Sequence, residues 1–156
     1  MIIEIFTKIK PIRISIIYRP PYTNFNNTRL LLKLIQKHTS QHFILNGDFN
    51  LNNNHLVWSV SPASYCSKIG ELFLDYCSKN CLQLFTPGPT RSGSWLDLSL
   101  ANFAGIDNST IINGLDNSDH DTTLFTLDIP FSPSKPKYTS NRNFNNINSY
   151  RDRGAN

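Results

Sequence analysis

The feature that most constrains the fold is a strand–helix–strand pattern in the first third of the chain. Residues 12–17 are rich in isoleucine and predict a strand. An apolar stripe at helical spacing predicts a helix from about Asn27 or Thr28 to His38. The apolar run His42-Phe43-Ile44-Leu45 predicts a second strand. This order is typical of a crossover unit, so the sequence favours an α/β fold over an all-β fold.

The rest of the pattern adds a second helix, several short strands and a tail. Apolar residues at i, i+3, i+4, i+7 and i+8 predict a helix over residues 66–80, with Asn80 as its stop. The predicted short strands are 2–6, 82–85, 95–100, 109–113 and 122–129, with loops at 51–63 and 101–108. Residues 132–156 have no apolar periodicity and are rich in Pro, Ser, Asn and basic residues. We therefore predict one domain over residues 1–131 and a disordered basic tail or linker over 132–156.

Composition excludes several classes of protein. The chain of 156 residues has 39% hydrophobic residues, which is enough for a core and too much for a wholly disordered chain. No apolar run approaches the roughly 20 residues that a membrane span needs, and the first residues do not resemble a signal peptide. Three cysteines without a secretory signal predict reduced thiols. We therefore expect an intracellular protein, in the nucleus or cytoplasm, with no membrane partner. The net charge of +4 arises entirely from the tail, which is compatible with either a solvated linker or weak attraction to a polyanion.

Polar side chains cluster where the predicted strands end. Asp48 and Asn50 follow the strand at 42–46, with Gly47 expected to allow a tight turn. Tyr18 and Arg19 end the strand at 12–17, and Asp97 lies in an alternating strand on the face of Trp95. The remaining polar residues are Thr90 and the run Ser118-Asp119-His120. Each alone has an ordinary interpretation as a turn, surface or core residue.

Together these residues suggest hydrolysis of a phosphodiester. This chemistry needs a metal held by hard oxygen ligands, and it needs a base that activates water. His120 suits the base, and Asp97 could orient its ring. Hydrogen-bond donors for the phosphoryl oxygens could come from Tyr18, Asn50 and Thr90. A serine hydrolase elbow, a dinucleotide fingerprint and a P-loop are all absent from the sequence.

Four sequence blocks occur in a fixed order, namely Ile14-Ser15-Ile16-Ile17-Tyr18-Arg19-Pro20-Pro21, Asn46-Gly47-Asp48-Phe49-Asn50, Pro89-Thr90-Arg91 with Trp95-Leu96-Asp97-Leu98, and Ser118-Asp119-His120. Together they resemble the endonuclease/exonuclease/phosphatase superfamily, in particular the apurinic-endonuclease-like endonuclease domain of non-LTR retrotransposons. The resemblance covers about residues 1–129. It implies a DNase I-like four-layer α/β/β/α sandwich, of which we expect this chain to carry the C-terminal part, with the N-terminal half missing.

The resemblance also implies roles for individual residues. Asp48 and Asn50 would contact the attacking water or the transition state, and Tyr18 would bind the scissile phosphate. Asp97 would pair with His120. Asp48 and Asp119 would take part in binding Mg²⁺ or Mn²⁺. The expected substrate contacts are Arg19, Thr90, Arg91 and Ser118. DNA is the implied substrate, and a reverse transcriptase domain is the implied neighbour in the parent polypeptide.

One departure from the family pattern concerns the metal. The family's main metal-binding glutamate lies ahead of the Tyr-Arg-Pro-Pro strand, and Glu4 is the single acid before Tyr18 here. We therefore expect little or no activity from this chain, and poor independent folding. The alternatives are a non-catalytic remnant that binds nucleic acid weakly, another branch of the superfamily acting on phospholipid or RNA, and an unrelated α/β binding module.

Overall fold

The computed structural model describes residues 1–8, 10–52, 54–58, 64–65, 67–116 and 118–128, the pair 64–65 by backbone alone. The predicted tail, the predicted boundary at residue 131 and Cys66 lie outside these residues. The described elements follow in chain order: β1 Ile2–Ile5, β2 Ile12–Tyr18, α1 Phe25–Gln36, β3 Phe43–Asp48, β4 Leu56–Val57, β5 Ser64–Tyr65, α2 Lys68–Lys79, β6 Gln83–Leu84, β7 Asp97–Ala101, β8 Ile106–Ile112 and β9 Thr122–Leu127.

A five-stranded mixed sheet with the order β1-β2-β3-β7-β6 forms the centre of the molecule. Strands β2 and β3 are parallel, and α1 connects them, so the predicted crossover unit is confirmed. The other neighbours in the sheet are antiparallel. Strands β8 and β9 form a separate antiparallel hairpin, and β4 and β5 form a small one.

Both helices begin where a polar side chain caps them. The Asn24 side chain accepts a hydrogen bond from the Asn27 N–H, so α1 begins at Phe25, earlier than the predicted Asn27 or Thr28. Ser67 accepts from the Gly70 N–H, so α2 begins at Lys68. Its end at Asn80 was predicted. The capping residues thus set the helix boundaries more sharply than the apolar pattern does.

The two faces of the sheet are covered by different layers. Helices α1 and α2 pack on one face against the cluster that includes Phe43, Leu45, Leu98 and Leu100. The β8–β9 hairpin packs on the other face, where Phe125 and Leu127 lie against Ile44 and Ala101. This alternation along β3 and β7 produces a helix layer, a sheet layer and a hairpin layer. No helix within the described residues is long and apolar enough to span a membrane.

Several predicted boundaries were wrong, and the most important concerns β3. The strand continues through Gly47 to Asp48, where we expected a turn. A Cβ on Gly47 would lie 1.9 Å from the Ile17 carbonyl oxygen, so glycine is required by close approach of β2 rather than by a turn. Strand β7 begins at Asp97, and Trp95 packs with the helix-side cluster instead of sharing the Asp97 face. The small β4–β5 hairpin and the early start of β8 at Ile106 were also missed.

Candidate active site

Two aspartates lie side by side at one edge of the sheet. Asp48 ends β3 and Asp97 begins β7, and the antiparallel register pairs them directly. Tyr18 ends β2 and is the register partner of Asp48 on the other side. Its side chain is 66% exposed, so it is open to a ligand. One row across three strands therefore presents a phenol and two carboxylates at the same edge.

His120 joins this row from the loop that precedes β9. Its Nδ1 lies 2.7 Å from Asp97 Oδ2. Ligand atoms of Asp48, Asp97 and His120 all lie within 4.8 Å of one another. Because a carboxylate accepts, Nδ1 is the donor, and the neutral ring then carries its lone pair on Nε2. This is the orientation that a general base requires.

The backbone around His120 is fixed by two small residues. The Ser118 hydroxyl accepts from the His120 N–H at 3.1 Å and lies 3.1 Å from the His120 carbonyl oxygen. A Cβ on Gly114 would lie 2.1 Å from that same oxygen. Ser118 was expected to contact substrate, whereas the structure places its hydroxyl on the His120 backbone. Gly114 was missed, because a close backbone approach leaves no sequence signal beyond the glycine itself.

The Asp48 carboxylate is held by the residues that follow it. Its Oδ1 accepts from the Asn50 N–H at 3.0 Å, and Asn50 adopts a positive φ of 47°. The chain therefore turns back at Asn50 and does not stay extended beyond Asp48. Burial raises the pKa of Asp48 above its ordinary value, and the nearby charge of Asp97 acts in the same direction. Its hydrogen bond from Asn50 opposes the shift.

The donor set of this site fits a divalent cation in its chemistry. Asp48 and Asp97 supply hard carboxylate oxygens, which Mg²⁺ and Mn²⁺ prefer. Asn46 lies on the same face of β3, two residues before Asp48, and its side-chain oxygen is buried without a hydrogen-bond partner. The raised pKa of Asp48 also indicates a carboxylate that a nearby positive charge would stabilise.

Asp119 does not belong to this group among the described residues. Its carboxylate is 67% exposed and pairs with Arg91, 2.5 Å from Nη2. The prediction that Asp119 helps to bind metal is therefore not supported by its position. Arg91 Nη1 also lies 3.4 Å from His120 Nε2. Arg91 thus brings a positive charge to the outer side of His120, where a phosphate could reach it.

Two predicted substrate contacts are buried, and the structure places both on protein groups. Arg19 is 1% exposed, and its guanidinium donates to protein oxygens. Thr90 is 0% exposed, and its hydroxyl accepts from the N–H groups of Leu96 and Asp97. Both are polar residues next to site residues, and sequence alone does not distinguish a polar group that faces ligand from one that supports the loop behind it.

The comparison with family models decides the family. Residues 12–124 match the family described as endonuclease-reverse transcriptase, which is most of the chain. The chain belongs to this family. The resemblance based on the four sequence blocks is thereby confirmed, and the family is one of nucleases in general. No curated protein matches the chain.

One solved structure gives the same fold class. The chain is similar to the endonuclease domain of TRAS1, a telomere-specific non-LTR retrotransposon, with 16% identity and a TM-score of 0.64. The match covers 82% of this chain and 61% of that domain, so the chain spans less than two thirds of the solved domain. The predicted α/β class with a DNase I-like arrangement is confirmed by this likeness.

Proposed function

We propose that this chain supplies the general base, His120, and the carboxylates beside it, Asp48 and Asp97, to a DNA endonuclease site that depends on a divalent cation, Mg²⁺ or Mn²⁺. The single observation that carries the proposal is the 2.7 Å contact of Asp97 with His120 beside the Asp48 carboxylate. Nuclease family membership supports phosphodiester hydrolysis, and the retrotransposon origin of the solved relative supports DNA as the substrate. Such a chain would act inside the cell, in the nucleus or cytoplasm, next to a reverse transcriptase domain of the same polypeptide.

Each residue of the site has its own role in the proposed reaction. His120 accepts a proton from the attacking water at Nε2. Asp97 holds the ring in place and stabilises the imidazolium that forms. Tyr18, exposed beside Asp48, donates to a phosphate oxygen. Arg91 exchanges its exposed ion pair with Asp119 for a contact with the phosphate. Asp48, with Asp97 and Asn50 beside it, would hold the divalent cation, which would supply neutralisation of charge on the phosphate.

The test measures cation binding and DNA nicking separately. We expect Mn²⁺ binding, followed by electron paramagnetic resonance, to weaken at least about tenfold in Asp48→Asn. Asp75→Asn, an exposed acid paired with Lys79, is the matched control and should bind Mn²⁺ as the parent chain does. We expect plasmid nicking by this chain with Mn²⁺ to be weak. Whatever nicking it shows should be lost in His120→Ala and stay unchanged in His38→Ala, on an exposed surface.

A non-catalytic nucleic-acid-binding chain is the second candidate. It is favoured by the position of Glu4, whose carboxylate pairs with Arg13 at 3.0 Å on strands β1 and β2 instead of joining the cluster. Under this alternative, the chain binds DNA without nicking it, and His120→Ala changes nothing. An assay with a phospholipid in place of plasmid DNA tests the branch of the superfamily that acts on phospholipid. Only an enzyme of that branch would release the phospholipid headgroup.

A further inference from the structure

Arg19 is the largest side chain that the described part of the chain buries completely. Its Nε donates to Thr28 Oγ1 at 3.1 Å, and Nη2 donates to the Thr23 carbonyl at 2.8 Å. Nη1 donates to the carbonyls of Phe49 at 3.0 Å and Asn50 at 3.4 Å. No carboxylate pairs with this guanidinium among the described residues, and neutral oxygens satisfy it instead. A buried charge is tolerated only with such complete hydrogen bonding.

The contacts between Arg19 and the loop at residues 48–50 run in both directions. The Arg19 N–H donates to the Asp48 carbonyl at 2.8 Å. The Asn50 side-chain Nδ2 donates to the Arg19 carbonyl at 2.9 Å. Arg19 therefore holds the loop by its backbone on one side and by its guanidinium on the other. We call this set of contacts, between Arg19 and residues 48–50, the arginine clamp.

Asn50 connects the arginine clamp to the Asp48 carboxylate, because it hydrogen-bonds to both. The Asn50 N–H donates to Asp48 Oδ1, so the position of the Asn50 backbone sets the direction of the carboxylate. The carbonyl of Arg19 can only accept, so the Asn50 amide must present Nδ2 to it. Its Oδ1 is the atom left for a ligand. Asn50 is thus an acceptor toward a cation or water, where we had expected a donor toward phosphate.

We propose that Arg19 is a positioning residue that orients Asp48 and Asn50 through the arginine clamp. The role of the cation in this inference rests on the proposed function, whereas the hydrogen bonds of the arginine clamp do not. Lysine keeps the charge of Arg19 but has a single nitrogen, which cannot span acceptors that lie on three separate segments. The Arg19→Lys variant should therefore lose the guanidinium contacts of the arginine clamp while keeping the charge and the backbone contacts.

The experiment compares the full chain with Arg19→Lys and with Arg13→Lys, an exposed control arginine. The first readout is the side-chain amide of Asn50 in ¹⁵N NMR spectra of the folded protein. We expect a shifted, exchange-protected signal in the parent chain and in Arg13→Lys. In Arg19→Lys the signal should move toward the solvent value, because the loop that the guanidinium held at Phe49 and Asn50 is displaced from the carbonyl of residue 19. The second readout is the Mn²⁺ dissociation constant, expected to rise about tenfold or more in Arg19→Lys alone.

The outcomes separate this inference from the proposed function. An unchanged Asn50 amide signal in Arg19→Lys overturns the inference, whatever the chain does with Mn²⁺. A parent chain that binds no Mn²⁺ overturns the proposed function, while the amide signal still decides on the arginine clamp. If Arg19→Lys does not fold, Thr28→Val and Thr28→Ser replace it, since only serine keeps the oxygen that Arg19 Nε contacts. Equal amide signals in this pair also overturn the inference.

Discussion

Replacing Thr90 with valine tests whether the site depends on a buried hydroxyl. Thr90 is fully buried, and its Oγ1 accepts from the Asp97 N–H at 3.0 Å and the Leu96 N–H at 3.3 Å. These donors lie where β7 begins, so they fix the first residue of the strand that carries Asp97. Valine has the same shape as threonine but offers no acceptor, so the buried Leu96 N–H and the half-buried Asp97 N–H would both lose their partner.

The expected cost follows from those two bonds. A buried donor without an acceptor costs about 1–3 kcal/mol, and the longer bond from Leu96 belongs at the low end of that range. We expect Thr90→Val to lower the free energy of unfolding by about 2–4 kcal/mol. Globular domains are typically stable by about 5–15 kcal/mol, so a loss of this size is a large share of the total and shifts the unfolding transition measurably.

Urea denaturation followed by tryptophan fluorescence measures this difference. Thr90→Ser is the matched control, because it keeps the hydroxyl and removes one buried methyl group, worth about 1 kcal/mol. The serine variant should therefore be more stable than the valine variant. A valine variant within about 0.5 kcal/mol of the parent, or more stable than the serine variant, would refute the support role that we assign to the hydroxyl.

Three further predictions follow from close contacts and from shifted pKa values. Gly114→Ala should displace the His120 carbonyl, seen as a shift of the His120 ring signals in NMR that Gly88→Ala does not cause, because the alanine Cβ at position 88 meets only a flexible side chain. Burial raises the pKa of Asp48, so its contribution is favourable below the ordinary aspartate pKa and is lost as pH rises. Asp48→Asn should therefore raise the free energy of unfolding at pH 7, a gain that disappears near about pH 3 in urea titrations. Burial and the charge of Arg19 lower the pKa of His55, so its stabilising contribution is lost as pH falls below about 6.5. Thermal melts should accordingly show a smaller loss of stability from about pH 7 to about pH 5 in His55→Asn than in the parent chain.

The sequence predicted the crossover unit and both helices because these depend on local apolar spacing. Periodicity could not locate the end of β3, since Gly47 suggests a turn in any sequence. Its real constraint is the backbone of Ile17 on a neighbouring strand, and that contact exists only after β2 and β3 pair. Strands β4 and β5 are two residues each, which is too short for any alternating pattern.

The same distinction between local and non-local information applies to the site. Asp48, Asp97 and His120 could be picked out because chemistry needs their side-chain types and the four blocks carry them. Arg19 and Thr90 belong to the same blocks, yet they face inward, and their partners are carbonyl and N–H groups of the site loops. Any residue can supply a backbone group, so a sequence pattern does not reveal which polar side chain will support one.

The shape of the site limits the kind of substrate it can take. The hairpin layer lies over a cluster that includes Ile12 on β2, Ile44 on β3 and Ala101 on β7. On the same face, Ile3 and Ile16 remain 40% and 39% exposed. The row of Tyr18, Asp48 and Asp97 is open to solvent at its β2 end, where the Tyr18 side chain is 66% exposed. A small-molecule site is usually enclosed on most sides. Under the proposed function, an edge that is open beside an exposed phenol would accommodate one phosphate of DNA and leave the rest of the DNA backbone outside the site.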